Sequence, residues 1–499
     1  MTKEDRGRVG VIGAGLAGLV SAKVLKQDQF DVTLFEKEPT VGGVWAASRA
    51  YPGLRTNNPR ETYAFSDFPY AKDADEFPTA GQVREYLESY VEYFGLAPHL
   101  RLSTEVVSVS RRASDGQGCE QRFRATVRPT QHPAAAESYD FDFFVVANGV
   151  FSDPNIPHLG GEAHFGGSVL HSSQIVDPKA LSGKRVIVVG AGKSALDCAT
   201  FAGREAASCT LVFRTPHWML PRYFGPIRVD RAMFTRLSEL TLPAYHRVTR
   251  TEIMLRRLGA PLLWLYRRMM SRLVVRLTGI PDAMVPDKPL HTGLENIGIG
   301  ESFYKVLRHG QIRAKRAQNI SFVGKDTLQL DSGEQLQADV VIFGTGWRQN
   351  LGFLDEELRR EIDADGQFKL YRRILPLRER YLGFVGYASS ANCPLTSELA
   401  AQWLSQCFRG ELALPSTADM EQETTRVRRW TTEVVPKRPE GYFIGAYVAH
   451  YADELLRDMN LRTRRNDRLL SEYLAPLWAE RYKRVTEERR LARVSQMPR

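Results

Sequence analysis

Two glycine-rich turns about 180 residues apart, each set between a strand pattern and a helix pattern, constrain this chain more than any other feature. The first, Val11-Ile12-Gly13-Ala14-Gly15-Leu16-Ala17-Gly18, leads to Glu36. The second, Val188-Val189-Gly190-Ala191-Gly192-Lys193-Ser194-Ala195, leads to Arg214. A strand running into Gly-x-Gly-x-x-Gly/Ala and then a helix presents backbone N–H groups and a helix N-terminus to a pyrophosphate, while the residue ending the next strand meets the adenosine ribose. Glu36, 23 residues after Gly13, can accept hydrogen bonds from a free 2'-hydroxyl, as FAD or NAD would offer. Arg214, 24 residues after Gly190, would pair with a 2'-phosphate that a carboxylate would repel. FAD at the first turn and NADPH at the second is the economical reading.

The flanks support both turns. Arg8 to Ile12 reads as a strand, Leu16 to Gln27 as a helix and Asp31 to Glu36 as a strand. Lys184 to Val189, Leu196 to Gly203 and Cys209 to Arg214 repeat that order. The expected fold is therefore α/β, with two Rossmann-like dinucleotide-binding domains.

With 499 residues and 43% hydrophobic composition, the chain is long enough for two or three domains with a large core. Its charged start runs straight into the first strand, and no stretch approaches 18 uninterrupted apolar residues, so a cytoplasmic location is expected. Five cysteines, Cys119, Cys198, Cys209, Cys393 and Cys407, form neither a Cys-x-x-Cys pair nor a metal-ligand spacing, so free thiols and no metal are expected. Much of the net charge of +10 lies between Arg228 and Arg276, where arginines recur among apolar residues. Met254 to Leu277 reads as one or two amphipathic helices, interrupted near Gly259-Ala260-Pro261. The favoured reading is a helical subdomain packed on the neighbouring sheet domain or on a partner subunit, which leaves room for a homodimer. A membrane-surface helix is the alternative. No RNA- or DNA-binding motif accompanies the charge, so nucleic acid is not an expected partner.

The order of elements suggests an inserted domain. Residues 1–173 read as the first part of the FAD domain, 174–325 as the NADPH domain with a helical insertion at about 225–285, 326–415 as the second part of the FAD domain, and 416–499 as a helical C-terminal extension. Val41-Gly42-Gly43-Val44-Trp45 brings a second glycine pair beyond the ribose-binding strand, where backbone can approach a cofactor. Ala147-Asn148-Gly149 ends a buried strand, and Asp331 to Gln335 reads as a hairpin turn. Ala338 to Phe343, ending in Gly344-Thr345-Gly346, reads as a buried strand that resumes the first domain. Thr396 to Phe408 reads as a helix with its N-terminus toward the first domain's ligand, and Glu487 to Arg499 as a frayed final helix.

Together these residues resemble the flavin-containing monooxygenases, the class B flavoprotein family that also includes Baeyer-Villiger and N-hydroxylating enzymes. The specific piece is the fingerprint Phe-x-Gly-x-x-x-His-x-x-x-(Tyr/Phe), present as Phe165 to Ile175 with Phe165, Gly167 and His171 in place and Ile175 at the aromatic position. The resemblance makes His171 a hinge or interdomain residue. It makes Asn57, in Leu54-Arg55-Thr56-Asn57-Asn58-Pro59-Arg60-Glu61, the amide beside flavin and nicotinamide; the bland reading is an Asx turn before Pro59. Arg214-Thr215-Pro216 is similar to the family's 2'-phosphate turn, with Lys193 and Ser194 at the helix start beside it. Phe343-Gly344-Thr345-Gly346-Trp347 is similar to its second domain crossing.

The implied enzyme is an NADPH- and O2-dependent flavin monooxygenase that forms a C4a-hydroperoxyflavin and oxygenates a nucleophilic nitrogen or sulfur of a small molecule. Gly13, Gly15, Gly18 and Glu36 would hold FAD; Gly190, Gly192 and Arg214 would hold NADPH; Gly43, Trp45, Lys193, Ser194 and Gly346 would also contact the cofactors; and Asn57 would orient the reactants. Two features separate the chain from the Baeyer-Villiger branch and favour N-hydroxylation. The fingerprint ends in Ile175-Val176-Asp177, and Lys288 of Asp287-Lys288-Pro289-Leu290 stands where that branch keeps an arginine. Baeyer-Villiger oxidation of a ketone or aldehyde, and a non-enzymatic redox-sensing flavoprotein, are the alternatives. A disulfide reductase would need a paired dithiol, which the spacing does not supply.

Overall fold

The computed structural model describes residues 6–112, 122–132, 134–292, 297–364, 367–435 and 443–496. Cys119 lies outside them; Cys198, Cys209, Cys393 and Cys407 are free thiols.

The first parallel sheet runs Leu382–Phe384, Phe143–Val146, Arg8–Ile12, Asp31–Phe35, Leu100–Arg101. A parallel sheet is covered on both faces, which is why its strands are short apolar runs. One face is covered by helix Leu16–Gln27, itself packed against helix Cys393–Phe408. The second helix is buried almost all round, as its apolar sequence requires. On the other face, Phe35, Phe144 and Phe384 meet Phe123 and Phe141 of the antiparallel sheet Thr104–Arg111, Phe123–Pro129 and Glu137–Phe141.

The second parallel sheet runs Arg313–Arg316, Ser208–Phe213, Arg185–Val189, Val340–Phe343, Ser168–His171. The strand ending at Phe343 thus pairs with Arg185–Val189 and does not resume the first domain, and Ser168–His171 joins the same sheet. The second unit therefore reaches beyond both expected boundaries, 174 and 325. A run of four buried apolar residues suits the centre of either sheet, and its pattern carries no information about which neighbour it takes. The hairpin Thr327–Leu330 to Gln335–Gln337 turns where the sequence places it.

Helices Val229–Met233, Arg236–Thr241, Arg250–Leu258 and Ala260–Thr278 form the insertion. The last two are interrupted at Gly259, where the sequence places the break. Gly259 has right-handed φ and ψ, its N–H bonds the Leu255 carbonyl, and its carbonyl accepts from Leu263. Met270, Val274 and Val275 face the core of the second unit, while the opposite side of this long helix is exposed.

The C-terminal extension is helical, in Thr417–Val434, Val448–Asp458, Leu469–Leu474 and Val485–Gln496. The last of these is anchored, not frayed: Arg489 is buried and bonds Asp28 at 2.6 Å, and Arg493 reaches the same carboxylate at 3.0 Å. Burial pushes the Asp28 carboxyl up, but the two guanidinium groups outweigh it and hold it well below the usual range. The basic residues that read as a solvated end are the ones that dock it.

Candidate functional site

Each glycine-rich turn has the geometry that a pyrophosphate requires, for identifiable reasons. Gly13 has φ +98°, and a Cβ there would stand 2.6 Å from the Ala147 carbonyl oxygen. A Cβ on Gly18 would lie 1.7 Å from the Gly13 carbonyl oxygen, so helix and strand approach only because that residue is glycine. In the second unit Gly190 has φ +132°, and Ala195 occupies the third position. Its methyl is accommodated by Gly344, where a Cβ would come within 2.5 Å of Ala195. Gly15 and Gly192 are the N-caps of helices Leu16–Gln27 and Lys193–Glu205, and neither helix has a side-chain cap. Their first-turn N–H groups are left for a ligand to satisfy.

Both turns open into one cleft of about 1800 Å³. Pockets for a single drug-sized ligand span roughly 300 to 1000 Å³, so the volume suits two dinucleotides. Gly13, Gly15, Glu36, Gly43, Trp45, Asn57, Gly190, Gly192, Lys193, Ser194, Arg214 and Gly346 all line it. Gly18 does not, being consumed by packing. The fingerprint residues Phe165, Gly167 and His171 also lie outside its walls.

Glu36 is buried against the first turn, its Oε2 accepting from Ala14 N at 2.7 Å and its Oε1 from Glu38 N at 3.0 Å. Burial pushes its carboxyl up, and those two N–H groups hold it back. Gly42 and Gly43, both at positive φ, fold back over Gly15. Trp45 donates through Nε1 to the Tyr63 hydroxyl at 3.0 Å. Arg214 is exposed at the cleft edge, and its guanidinium has no partner among the described residues. Lys193, expected beside the phosphate, bonds the Asp197 carboxylate one turn along its own helix.

Asn57 is the orphan of the cleft. Its neighbours are fixed, Thr56 through Oγ1 to the Asn58 carbonyl at 2.7 Å and Asn58 through Nδ2 to the Ala391 carbonyl at 2.7 Å. Asn57 Oδ1 is buried with no hydrogen-bond partner and therefore makes no Asx turn. A buried amide oxygen left unmet costs about 1 to 3 kcal/mol. A ligand N–H would satisfy it, as a flavin or nicotinamide amide can. The glycine cradles, the buried Glu36 carboxylate, the Arg214 guanidinium and this amide together fit FAD and NADPH.

The two chain crossings between the units are tied to each other. Asp153–Pro154 pairs antiparallel with Trp347–Arg348, and Asn155 bonds Thr345 and Arg348. His171 is fully buried beneath this ribbon. Its Nδ1 accepts from Ser173 N, so Nε2 carries the proton and donates to the Gly346 carbonyl at 3.0 Å, with the ring edge-on to Trp347. Burial lowers its pKa, keeping it neutral. Ile175 fills its position by burial in the second unit's core.

Sequence reasoning missed Arg49, Tyr51, Tyr63 and Cys393, all of which line the cleft. Arg49 donates to the Phe151 carbonyl at 2.6 Å and lies over the Trp347 ring at 4.6 Å, clamping both crossings. The first three fall in the loop-rich segment after the second glycine pair, which was the available signal. Burial pushes the Cys393 thiol up to about 11, so it stays protonated. Lys288 is exposed and outside the cleft walls.

The sequence model of the family described as flavin-binding monooxygenase-like matches residues 6–266 and 298–466. A probable flavin-containing monooxygenase 1 of Arabidopsis thaliana is 30% identical, with 97% of each chain covered. Among solved structures, cyclohexanone monooxygenase from Rhodococcus sp. Phi1 bound to NADP+ has a TM-score of 0.67 at 21% identity, over 90% of this chain and 97% of its own. S-allyl-L-cysteine S-oxygenase from Allium sativum has a TM-score of 0.63 at 19% identity, over 98% and 93%. These two likenesses bear on the fold, which has two dinucleotide-binding domains. The chain belongs to the flavin-binding monooxygenase-like family.

Proposed function

We propose that the protein is an NADPH- and O2-dependent monooxygenase that oxygenates a nucleophilic nitrogen or sulfur of a small molecule, with N-hydroxylation favoured. Its cofactors are FAD and NADPH. The observation that carries the reading is the single cleft lined by both glycine-rich turns, with the unmet Asn57 Oδ1 on its wall. When bound, FAD takes hydride from NADPH and activates O2.

This chain's own residues bind, orient and exclude water. Gly13 and Gly15 admit the FAD pyrophosphate, and Glu36 accepts from its ribose; Gly190 and Gly192 admit that of NADPH, with Ser194 at the helix start and Arg214 on the 2'-phosphate. Asn57 accepts an N–H at Oδ1 and donates from Nδ2, fixing two reactants by one amide. His171, neutral and already bonded at both nitrogens, is a positioning residue at the crossing and not a base. Gly346, on the cleft wall, is held by it.

Transfer to nitrogen or sulfur is favoured over attack on a ketone because Lys288, which stands where the Baeyer-Villiger branch keeps an arginine, is exposed outside the cleft. The test offers amines, amino acids, thioethers and ketones to the holoenzyme with NADPH and O2, scoring product against hydrogen peroxide. N- or S-oxygenated product supports the proposal. Ester or lactone from ketones would replace it by Baeyer-Villiger oxidation, and NADPH consumption that yields no product with any class would favour the redox-sensing reading.

A further inference from the structure

The outward side of the helical insertion is apolar, cationic and uncovered. Leu258, Leu262, Leu265, Met269, Leu273 and Leu277 recur at steps of three and four, and each is between 40% and 75% exposed. Leu262, Leu265, Met269, Leu273 and Leu277 lie on helix Ala260–Thr278, where these steps place them in one stripe along a single face, and Leu258 ends the helix before it. Trp264 stands beside it, 62% exposed, with the Arg268 guanidinium 5.7 Å from its ring centroid.

Charge is arranged with equal consistency. No aspartate or glutamate occurs between Glu252 and Asp282, a segment holding six arginines. Two are engaged inward: Arg256 pairs with Glu252 and bonds the Leu242 carbonyl, while Arg267 bonds the Thr241 carbonyl at 2.7 Å. The other four, Arg257, Arg268, Arg272 and Arg276, are exposed and form no ion pair among the described residues. On a helical projection Arg268, Arg272 and Arg276 lie along one flank of the leucine stripe.

We propose that this face docks on an anionic lipid bilayer, lying in the interface with its leucines and Trp264 among the acyl chains and its arginines at the headgroups. An apolar stripe edged by arginines, with an aromatic at the border, is the pattern of an interfacial helix. A second copy of this chain is a poor occupant. A two-fold contact sets a patch against itself, which here would bring arginine rows together with no carboxylate on the face to neutralise them. Anionic headgroups supply the missing charge. No helix among the described residues is long and apolar enough to cross a membrane, so the contact is peripheral.

Flotation of the full-length holoenzyme with vesicles tests this. Vesicles with about 30 mol% phosphatidylserine should carry at least about tenfold more protein than pure phosphatidylcholine vesicles, and about 0.5 M salt should remove most of that difference. Met269→Glu with Leu273→Glu, and Arg268→Gln with Arg272→Gln and Arg276→Gln, should each reduce binding about tenfold while flavin content and Tm match the parent protein. Should the first pair fail to fold, brominated lipid supplies the second readout: it should quench more emission from the parent than from Trp264→Phe. The proposal is overturned if the parent stays with the soluble fractions at every lipid composition, if folded variants float as well as it does, or if emission quenching is the same with and without Trp264. It is equally overturned if sedimentation shows a dimer that these substitutions dissociate, since a second copy would then cover the face.

Discussion

The Tyr51 hydroxyl donates a 2.9 Å hydrogen bond to Oδ2 of Asp197, joining the loop that follows the first glycine-rich turn to the helix that begins at the second. Lys193 holds the same carboxylate. Tyr51 is buried, which together with Asp197 raises its pKa far above the ordinary value and keeps the proton that makes the bond. Tyr51→Phe should remove about 1 kcal/mol of coupling between the two units. The expected outcome is a KM for NADPH raised about fivefold with flavin content unchanged. Loss of flavin with an unchanged KM would show that the contact serves the FAD half instead.

Arg214→Ala tests the cofactor assignment. A charge-assisted contact to the 2'-phosphate is worth about 1.5 to 3 kcal/mol, so KM for NADPH should rise roughly ten- to a hundredfold while KM for NADH barely moves. Steady-state kinetics with both cofactors decide it, and equal effects on the two would mean that Arg214 does not meet the phosphate.

Two glycines separate packing from binding. Gly18→Ala drives a methyl into the Gly13 carbonyl oxygen, so that variant should lose flavin and be recovered poorly. Gly192 has φ −75°, and a methyl added there would meet nothing within 4 Å, so Gly192→Ala should fold with normal flavin content and a similar Tm. Its defect should appear only as weaker NADPH binding, about tenfold, because the methyl stands where the pyrophosphate approaches. Titration of NADP+ against flavin absorbance reads the difference.

A pH dependence follows from His450, whose Nδ1 lies 2.5 Å from Glu239 and whose Nε2 lies 3.1 Å from Glu252. Burial opposes its charge, but the two carboxylates outweigh burial and raise the pKa from 6.5 to about 10. A raised folded-state pKa contributes stability that is complete below 6.5 and is lost as pH rises through about 10. Thermal melts of the parent should therefore decline across that window. His450→Gln should lower Tm most at about pH 6 to 7 and converge on the parent near pH 10; a constant gap at all pH values would contradict it.

Much of the fold was legible because the two βαβ units declare themselves locally. Strand Arg8–Ile12 and helix Leu16–Gln27 match the sequence reading at both ends, since a glycine turn fixes one boundary and apolar periodicity the other. What local pattern could not supply was partnership. The Val340–Phe343 strand pairs in the second sheet, and the final helix is pinned through Arg489 and Asp28. The cleft divides in the same way. Motif residues such as Glu36 and Arg214 carry spacing, whereas Arg49 and Tyr51 act across sequence separations of about 100 to 150 residues, which no window detects.

The central claim is that both dinucleotides meet in the one cleft, so that hydride passes from the Arg214 half to the Glu36 half. Anaerobic mixing of the purified protein with NADPH, followed by visible absorbance, tests it most directly. The account predicts bound flavin whose absorption band bleaches on mixing, faster with NADPH than with NADH. Protein that carries no flavin, or a flavin band that NADPH leaves unchanged, would contradict it.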